Sequence, residues 1–113
     1  MKEISTEKVD KRKERPNDSE LGFGQTFTDH MFVMDYDEKE GWYDPRIIPY
    51  QPLEMEPAKA TFHYGQTTFE GMKAYKNEKG EALLFRPEQY AKRFNNSNKR
   101  MCMPEMATDF FVK

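Results

Sequence analysis

The clustering of apolar and β-branched residues predicts two β-hairpins. Residues 26–35 are rich in Thr, Phe, Val and Tyr, which suit a pleated surface, and residues 42–43 are interpreted as the returning strand. A second hairpin is predicted from residues 72–76 and 82–86, joined by a turn at 77–80 in which Asn and Gly tolerate the turn geometry. Because the last of these strands begins with an uninterrupted apolar run, we expect it to be well buried.

Prolines and a second apolar run refine the first hairpin. The pairs Asp44-Pro45 and Ile48-Pro49 are expected to break regular structure, since the residue before a proline is pushed toward extended backbone. Residues 31–34 are all apolar, which predicts that both faces of that strand are covered. Because of the two proline pairs, the returning strand is expected to be limited to residues 42–43.

One long helix is predicted near the end of the chain. Pro87 suits its first position, where a missing N–H costs nothing, and Pro104 limits its extension beyond about Met101. Helical spacing places four residues on one stripe that we expect to be packed: Tyr90, Phe94, Ser97 and Met101. The opposite face is expected to be solvated: Lys92, Asn95 and Lys99. An antiparallel sheet with a packed helix predicts the α+β fold class.

Charge is concentrated at the front of the chain. Residues 1–20 are mainly Lys, Arg, Asp and Glu, so they cannot bury enough surface to offset their ordering entropy, and we expect a mobile tail there. Residues 21–113 are predicted to form one small domain. The formal net charge of −2 gives no reason to expect nucleic acid as a partner. No apolar run approaches the roughly 20 residues that a membrane span requires, and the single Cys102 permits no internal disulfide. The default expectation is a cytoplasmic protein.

A metal site is not expected. Asp29 and His30 are adjacent on a predicted strand, so their side chains point to opposite faces and cannot readily bind one ion. His63 is the only other histidine.

The candidate chemistry lies in residues 62–75. Pro57 is a possible start of a short helix ahead of this stretch, and Gly65 and Gly71 bracket one possible helical turn. Tyr64 and Phe69 beside that turn could line a small apolar pocket with one polar handle. The alternative is a loop filled by two core aromatics.

Arg93 is the second candidate. At about 100° per residue it lies about 60° from the centre of the packed stripe, at the edge of the core, where it can reach inward. The alternative is an arginine whose stem passes Tyr90 and whose charge ends in water.

The motifs resemble one enzyme family. His-Tyr-Gly at 63–65 followed by Phe-Glu-Gly-Met-Lys-Ala-Tyr at 69–75 is similar to the segment that opens the active site of branched-chain amino acid aminotransferases, which are pyridoxal-phosphate (PLP) enzymes of fold type IV. Residues 23–31 resemble the start of that family's small domain. Residues 84–88 and 92–94 resemble the helix that carries its phosphate-binding arginine. The three blocks keep the family's order and spacing.

This resemblance implies roles for particular residues. Arg93 matches the arginine that holds the PLP phosphate, while Phe23, Tyr64 and Phe69 match the aromatic wall of the substrate pocket. The family transfers amino groups between leucine, isoleucine or valine and 2-oxoglutarate, and works as a homodimer. Its Schiff-base lysine lies in a larger second domain beyond this region, so no catalytic residue is expected here and the chain alone is expected to be inactive.

Two other functions remain open. One is another fold-type IV enzyme, such as a D-amino acid aminotransferase or an aminodeoxychorismate lyase. The other is a non-catalytic binding module that keeps the small-domain fold. The joint presence of Tyr64, Phe69 and Arg93 counts against such a module, which has no need for that set.

Overall fold

The structure is a computed structural model that describes residues 3–113. The chain divides into two compact units, Met1–Glu54 and Met55–Lys113. The first contains a three-stranded sheet, and the second contains a two-stranded sheet with helices. Mainly antiparallel strands combined with helices confirm the predicted α+β fold class.

The sheet of the first unit is built on the predicted hairpin. Strands β2 (His30–Asp37) and β3 (Gly41–Pro49) pair antiparallel, and β1 (Ser5–Thr6) pairs parallel to β3 on its other side. The strand expected from residue 26 therefore begins four residues later. A 3₁₀ turn, Asp18–Glu20, precedes the hairpin. In the strand expected to be covered on both faces, Phe32 is 47% exposed and its apolar neighbours are half-buried.

The prediction that prolines break the returning strand is wrong. β3 continues through Pro45 to Pro49 because the irregularity is absorbed by a bulge. Val33 pairs with Arg46 and Asp35 with Tyr43, so two residues of β3 face one residue of β2. Asp44 takes a left-handed conformation there, with φ 49°. A bulge is one of the few places in a paired strand that tolerates a proline.

The charged front of the chain makes specific contacts with the hairpin. The Val9 amide donates to Nε2 of His30 at 3.0 Å, and the Lys13 amide donates to Oδ1 of Asp29 at 3.0 Å. Asp29 and His30 thus act as hydrogen-bond acceptors for residues that precede the hairpin. Whether residues 1–20 are mobile in solution, and whether residues 21–113 act as one domain, remain predictions.

The second unit contains three helices and the second hairpin. Helix α1 (Ala60–Tyr64) ends at Gly65, whose φ of 60° lies in the left-handed region. This helix begins three residues after Pro57, and the expected turn between Gly65 and Gly71 is replaced by irregular backbone. Strands β4 (Ala74–Lys76) and β5 (Ala82–Leu84) pair antiparallel. Helices α2 (Pro87–Arg100) and α3 (Thr108–Val112) complete the unit.

The expectation that β5 is well buried is wrong. Leu83 is 51% exposed, Leu84 is 44% exposed and the following Phe85 is 71% exposed. Strand pairing satisfies the edges of a strand and leaves its two faces open, so both faces of this two-stranded sheet stay exposed unless another element packs on them. A continuous apolar run indicates a strand that can be covered, and does not indicate that the covering element lies in the same stretch of chain.

Helix α2 begins at Pro87 and ends within one residue of the predicted position. Its most buried residues are Ala91 and Asn98, each 1% exposed, while the four residues of the predicted stripe are half-buried. Asn95, predicted to be solvated, is also half-buried. Its amide exchanges two hydrogen bonds with the backbone of Met106, at 2.6 and 2.8 Å, as the chain turns back toward α3.

Across residues 3–113, no helix is both long and apolar enough to cross a membrane. The same residues contain no group of three or more His, Cys, Asp or Glu side chains that could hold a metal ion.

Candidate functional site

Arg93 on α2 is held by Glu70, which lies in the irregular segment between α1 and β4. The Nε–H of Arg93 donates to Oε2 of Glu70 at 2.8 Å, and Nη2 donates to Oε1. The Glu70 side chain is only 6% exposed, whereas that of Arg93 is 63% exposed. The guanidinium carbon also lies 5.3 Å from the ring centroid of Tyr90, one helical turn earlier. Arg93 is therefore fixed on one edge and open on the rest.

The segment that carries Glu70 is tied by two further hydrogen bonds to α2 and to Met101, the residue that follows it. The Gln66 side-chain amide donates to the carbonyl of Met101 at 3.0 Å. The Thr68 hydroxyl donates to Oδ1 of the buried Asn98 at 2.5 Å. These contacts place the segment over the second half of the helix. Gln66 and Thr68 therefore fix where Glu70 lies along α2.

An open cleft of about 470 Å³ lies between this segment and α2. Its lining combines two arginines with hydroxyl, amide and apolar groups: Thr67, Thr68, Phe69, Arg93, Asn96, Ser97, Arg100 and Met101. Arg93 and Arg100 are seven residues apart, which puts them on the same side of the helix. The cleft therefore offers positive charge and hydroxyl donors, the groups that suit an anion.

The electrostatics of the Arg93–Glu70 pair favour both charged forms. Hydrogen bonds from Arg93 lower the pKa of the Glu70 carboxyl, and its positive charge and the Gly71 N–H act in the same direction against the effect of burial. The hydrogen bond to Glu70 raises the pKa of the Arg93 guanidinium above its already high ordinary value. The pair is thus fully ionised at neutral pH.

The N–H donors of Arg93 that Glu70 does not use can bind a phosphate group. A guanidinium carries five N–H donors, and Glu70 occupies Nε and one position on Nη2. Three donors remain available, and the hydroxyls of Thr67 and Ser97 line the same cleft. Charge-assisted bonds from a planar guanidinium match the oxygen spacing of a phosphate. The residues present therefore fit one side of a phosphate-binding site.

The predicted aromatic residues are exposed. Tyr64 is 85% exposed and Phe69 is 90% exposed, so neither fills a core in the second unit, and the alternative of a loop plugged by aromatics is wrong for this structure. Phe69 lines the same cleft as Arg93. Tyr64 ends α1, and Phe23, which is fully exposed, lies in the first unit. The roles of Phe23, Tyr64, Phe69 and Arg93 in binding stay predictions.

Sequence reasoning missed Glu70 and misjudged how Arg93 is placed. Arg93 neither reaches into the core nor simply ends in water, since its head is bound by a buried carboxylate. A signal was present, because Glu70 is a lone acid between Phe69 and Gly71, and residues 64–68 before it are all uncharged. A charged residue in such surroundings needs a partner of opposite charge.

Curated relatives align with nearly the whole length of this chain. It is 56% identical to "Branched-chain-amino-acid aminotransferase 2" of Bacillus subtilis (strain 168) over 103 residues, which is 91% of this chain and 28% of the relative. It is 56% identical to "Branched-chain-amino-acid transaminase 1" of the same organism over 110 residues, 97% of this chain and 31% of the relative. A "Probable branched-chain-amino-acid aminotransferase" of Staphylococcus epidermidis is 52% identical over 91% of this chain and 28% of that protein. No protein-family model matches the chain.

The chain spans about three tenths of the length of these curated relatives. The matched part is their N-terminal portion. By sequence, this chain is homologous to the N-terminal portion of curated proteins named branched-chain-amino-acid aminotransferase.

Proposed function

We propose that this chain is the N-terminal part of a PLP-dependent aminotransferase that acts on leucine, isoleucine and valine with 2-oxoglutarate as the amino acceptor. The observation that carries the proposal is the 56% identity to two aminotransferases over 91% and 97% of the chain. The cleft beside α2 supports it independently, because its arginines and hydroxyls suit the phosphate of that cofactor.

The proposal assigns binding roles to four residues. Arg93 holds the cofactor phosphate with its free guanidinium donors, and Phe69 in the same cleft contacts the aliphatic side chain of the substrate. Tyr64 and Phe23 complete the aromatic wall, with the Tyr64 hydroxyl orienting the substrate carboxylate. When bound, PLP supplies the electron sink on which transamination depends.

The remaining portion of the enzyme supplies the reacting lysine in this proposal. None of the lysines in this chain matches the position of the lysine that bonds to the cofactor. The complete enzyme is proposed to be a cytoplasmic homodimer, in which the apolar groups left open on the second unit, Leu83 and Phe85 among them, become covered.

The test compares the isolated chain with a complete enzyme. We define the complete enzyme as this chain joined to the remaining portion of the Bacillus subtilis transaminase 1 to which it aligns over 110 residues. The complete enzyme should transaminate leucine with 2-oxoglutarate, and the isolated chain with added PLP should not. Turnover by the isolated chain, together with a visible cofactor band that borohydride abolishes, would show that a lysine here reacts. Activity of the complete enzyme on D-alanine in preference to leucine would point to another fold-type IV enzyme.

A further inference from the structure

We propose that Glu70 is a positioning residue that fixes the Arg93 guanidinium in the orientation that binds the cofactor phosphate; this inference rests on the proposed function. The assignment concerns a side chain that does not itself contact the ligand. It depends on how Glu70 binds Arg93, on how Glu70 is held, and on which donors it leaves free.

The bidentate geometry sets the plane of the guanidinium. Two parallel bonds, Nε to Oε2 at 2.8 Å and Nη2 to Oε1, make the carboxylate and the guanidinium nearly one rigid unit. Tyr90 lies against the same group, with its ring centroid 5.3 Å from the guanidinium carbon. A free arginine has several rotatable bonds to order when it binds a ligand, and part of that entropy is already lost here.

Glu70 is itself held in place. Its side chain is 6% exposed, and its Oε1 accepts a further hydrogen bond from the Gly71 N–H at 3.0 Å. Two residues earlier, Thr68 is hydrogen-bonded to the buried Asn98 of α2. The carboxylate is therefore an anchored acceptor, and Arg93 is the exposed partner that extends from it.

The N–H donors of Arg93 that Glu70 does not use lie on the exposed part of the guanidinium. Glu70 uses two of the five N–H donors, and both are on the Nε–Nη2 edge. Arg93 and Arg100 both line the cleft, and Arg100 keeps the local charge positive although Glu70 neutralises Arg93. An anion can thus be bound by the remaining three donors while the pair to Glu70 stays intact.

The opposing hypothesis is that Glu70 competes with the phosphate. A carboxylate and a phosphate both accept hydrogen bonds from a guanidinium, and they repel each other because both are negatively charged. Under that hypothesis, neutralising Glu70 would strengthen cofactor binding, whereas a positioning role requires that it weaken binding. The two hypotheses therefore differ in the sign of the effect.

The experiment measures dissociation constants of PLP and of pyridoxal, which lacks the phosphate, for variants of the complete enzyme. The ratio of the pyridoxal constant to the PLP constant isolates the contribution of the phosphate. Glu70→Gln removes one acceptor and should lower this ratio about tenfold, the value of one charge-assisted hydrogen bond. Arg93→Gln should lower it at least as much. Glu88→Gln, an exposed acid in the first turn of the same helix, is the control and should leave it unchanged.

Each result separates the inference from the proposed function. If Arg93→Gln lowers the ratio and Glu70→Gln does not, the positioning role of Glu70 is wrong while the proposed function stands. An equal loss of PLP and pyridoxal affinity in Glu70→Gln would indicate a merely structural contact, and tighter PLP binding would indicate competition; both overturn the inference. If Arg93→Gln leaves the ratio unchanged, the proposed cofactor role of Arg93 fails as well. Should Glu70→Gln not fold, Glu70→Asp, whose shorter side chain cannot keep both bonds, replaces it with the same expected direction.

Discussion

Arg93 takes its orientation from a carboxylate 23 residues earlier in the chain. The angular position of Arg93 on the helix predicted that it lies near the edge of the core. It could not reveal the partner, because the contact depends on how an irregular segment crosses the helix. The Glu70–Arg93 pair shows that hydrophobic periodicity does not predict an ion pair between residues far apart in the chain.

The Glu70–Arg93 pair makes stability depend on pH. The pKa of Glu70 in the folded chain lies below its ordinary value because Arg93 donates hydrogen bonds to the charged form. Its contribution is therefore fully present above the ordinary glutamate pKa of about 4.3 and is lost as the pH falls through the lower native value. The melting-temperature difference between the wild-type complete enzyme and Glu70→Gln should be positive at neutral pH and shrink in acid. A difference that stays constant, or grows on acidification, would contradict this linkage.

Phe69 provides a second prediction at the level of single residues. It is 90% exposed yet lines the cleft, as expected for a side chain that contacts a ligand. In the complete enzyme, Phe69→Ala should reduce kcat/KM for leucine by roughly tenfold relative to alanine, because an apolar contact to the longer side chain is lost. PLP should remain bound. Phe62→Ala, in α1 and 58% exposed, is the control and should keep the ratio of leucine to alanine. Loss of PLP with unchanged selectivity would place Phe69 in the wrong role.

At the scale of elements, α2 and the segment that crosses it form the supporting structure of the cleft. The sequence predicted α2 well, because Pro87 marks its start and its apolar residues recur at helical spacing. It predicted the hairpins but not the bulge at Asp44 or the open faces of β5, since both depend on tertiary contacts. Asn98 is the clearest case of an unpredicted core position, because a buried amide carries no hydrophobic signal.

The hydrogen bond between Thr68 and Asn98 should stabilise the crossing segment. Thr68→Val removes the hydroxyl and leaves the oxygen of a fully buried amide without that donor, which typically costs about 1–3 kcal/mol. Thr67→Val, the neighbouring exposed threonine, should change the free energy of unfolding by less than about 0.5 kcal/mol. Chemical denaturation of both variants of the complete enzyme measures the difference. Equal destabilisation by the two substitutions would show that this bond does not anchor the segment.

At the scale of the whole molecule, the described chain has a small buried core and many exposed aromatics. Ala91 and Phe110 are its buried apolar side chains in the second unit, whereas Tyr64, Phe69 and Phe85 are each at least 71% exposed. The relatives are more than three times longer than the matched region. The proposed role, in which this part supplies one wall of a site and the rest of the enzyme supplies the reacting lysine, accounts for both observations.

The central claim is that this wall binds the cofactor phosphate through Arg93. The direct measurement is the dissociation constant of PLP for Arg93→Ala and Lys92→Ala of the complete enzyme, two neighbouring cations on one helix. Arg93→Ala should weaken PLP binding about tenfold or more, because charge-assisted bonds to the phosphate are lost. Lys92→Ala, whose side chain is exposed on the predicted solvated face, should change it by no more than about twofold. Equal PLP affinity in the two variants would contradict the assignment of Arg93.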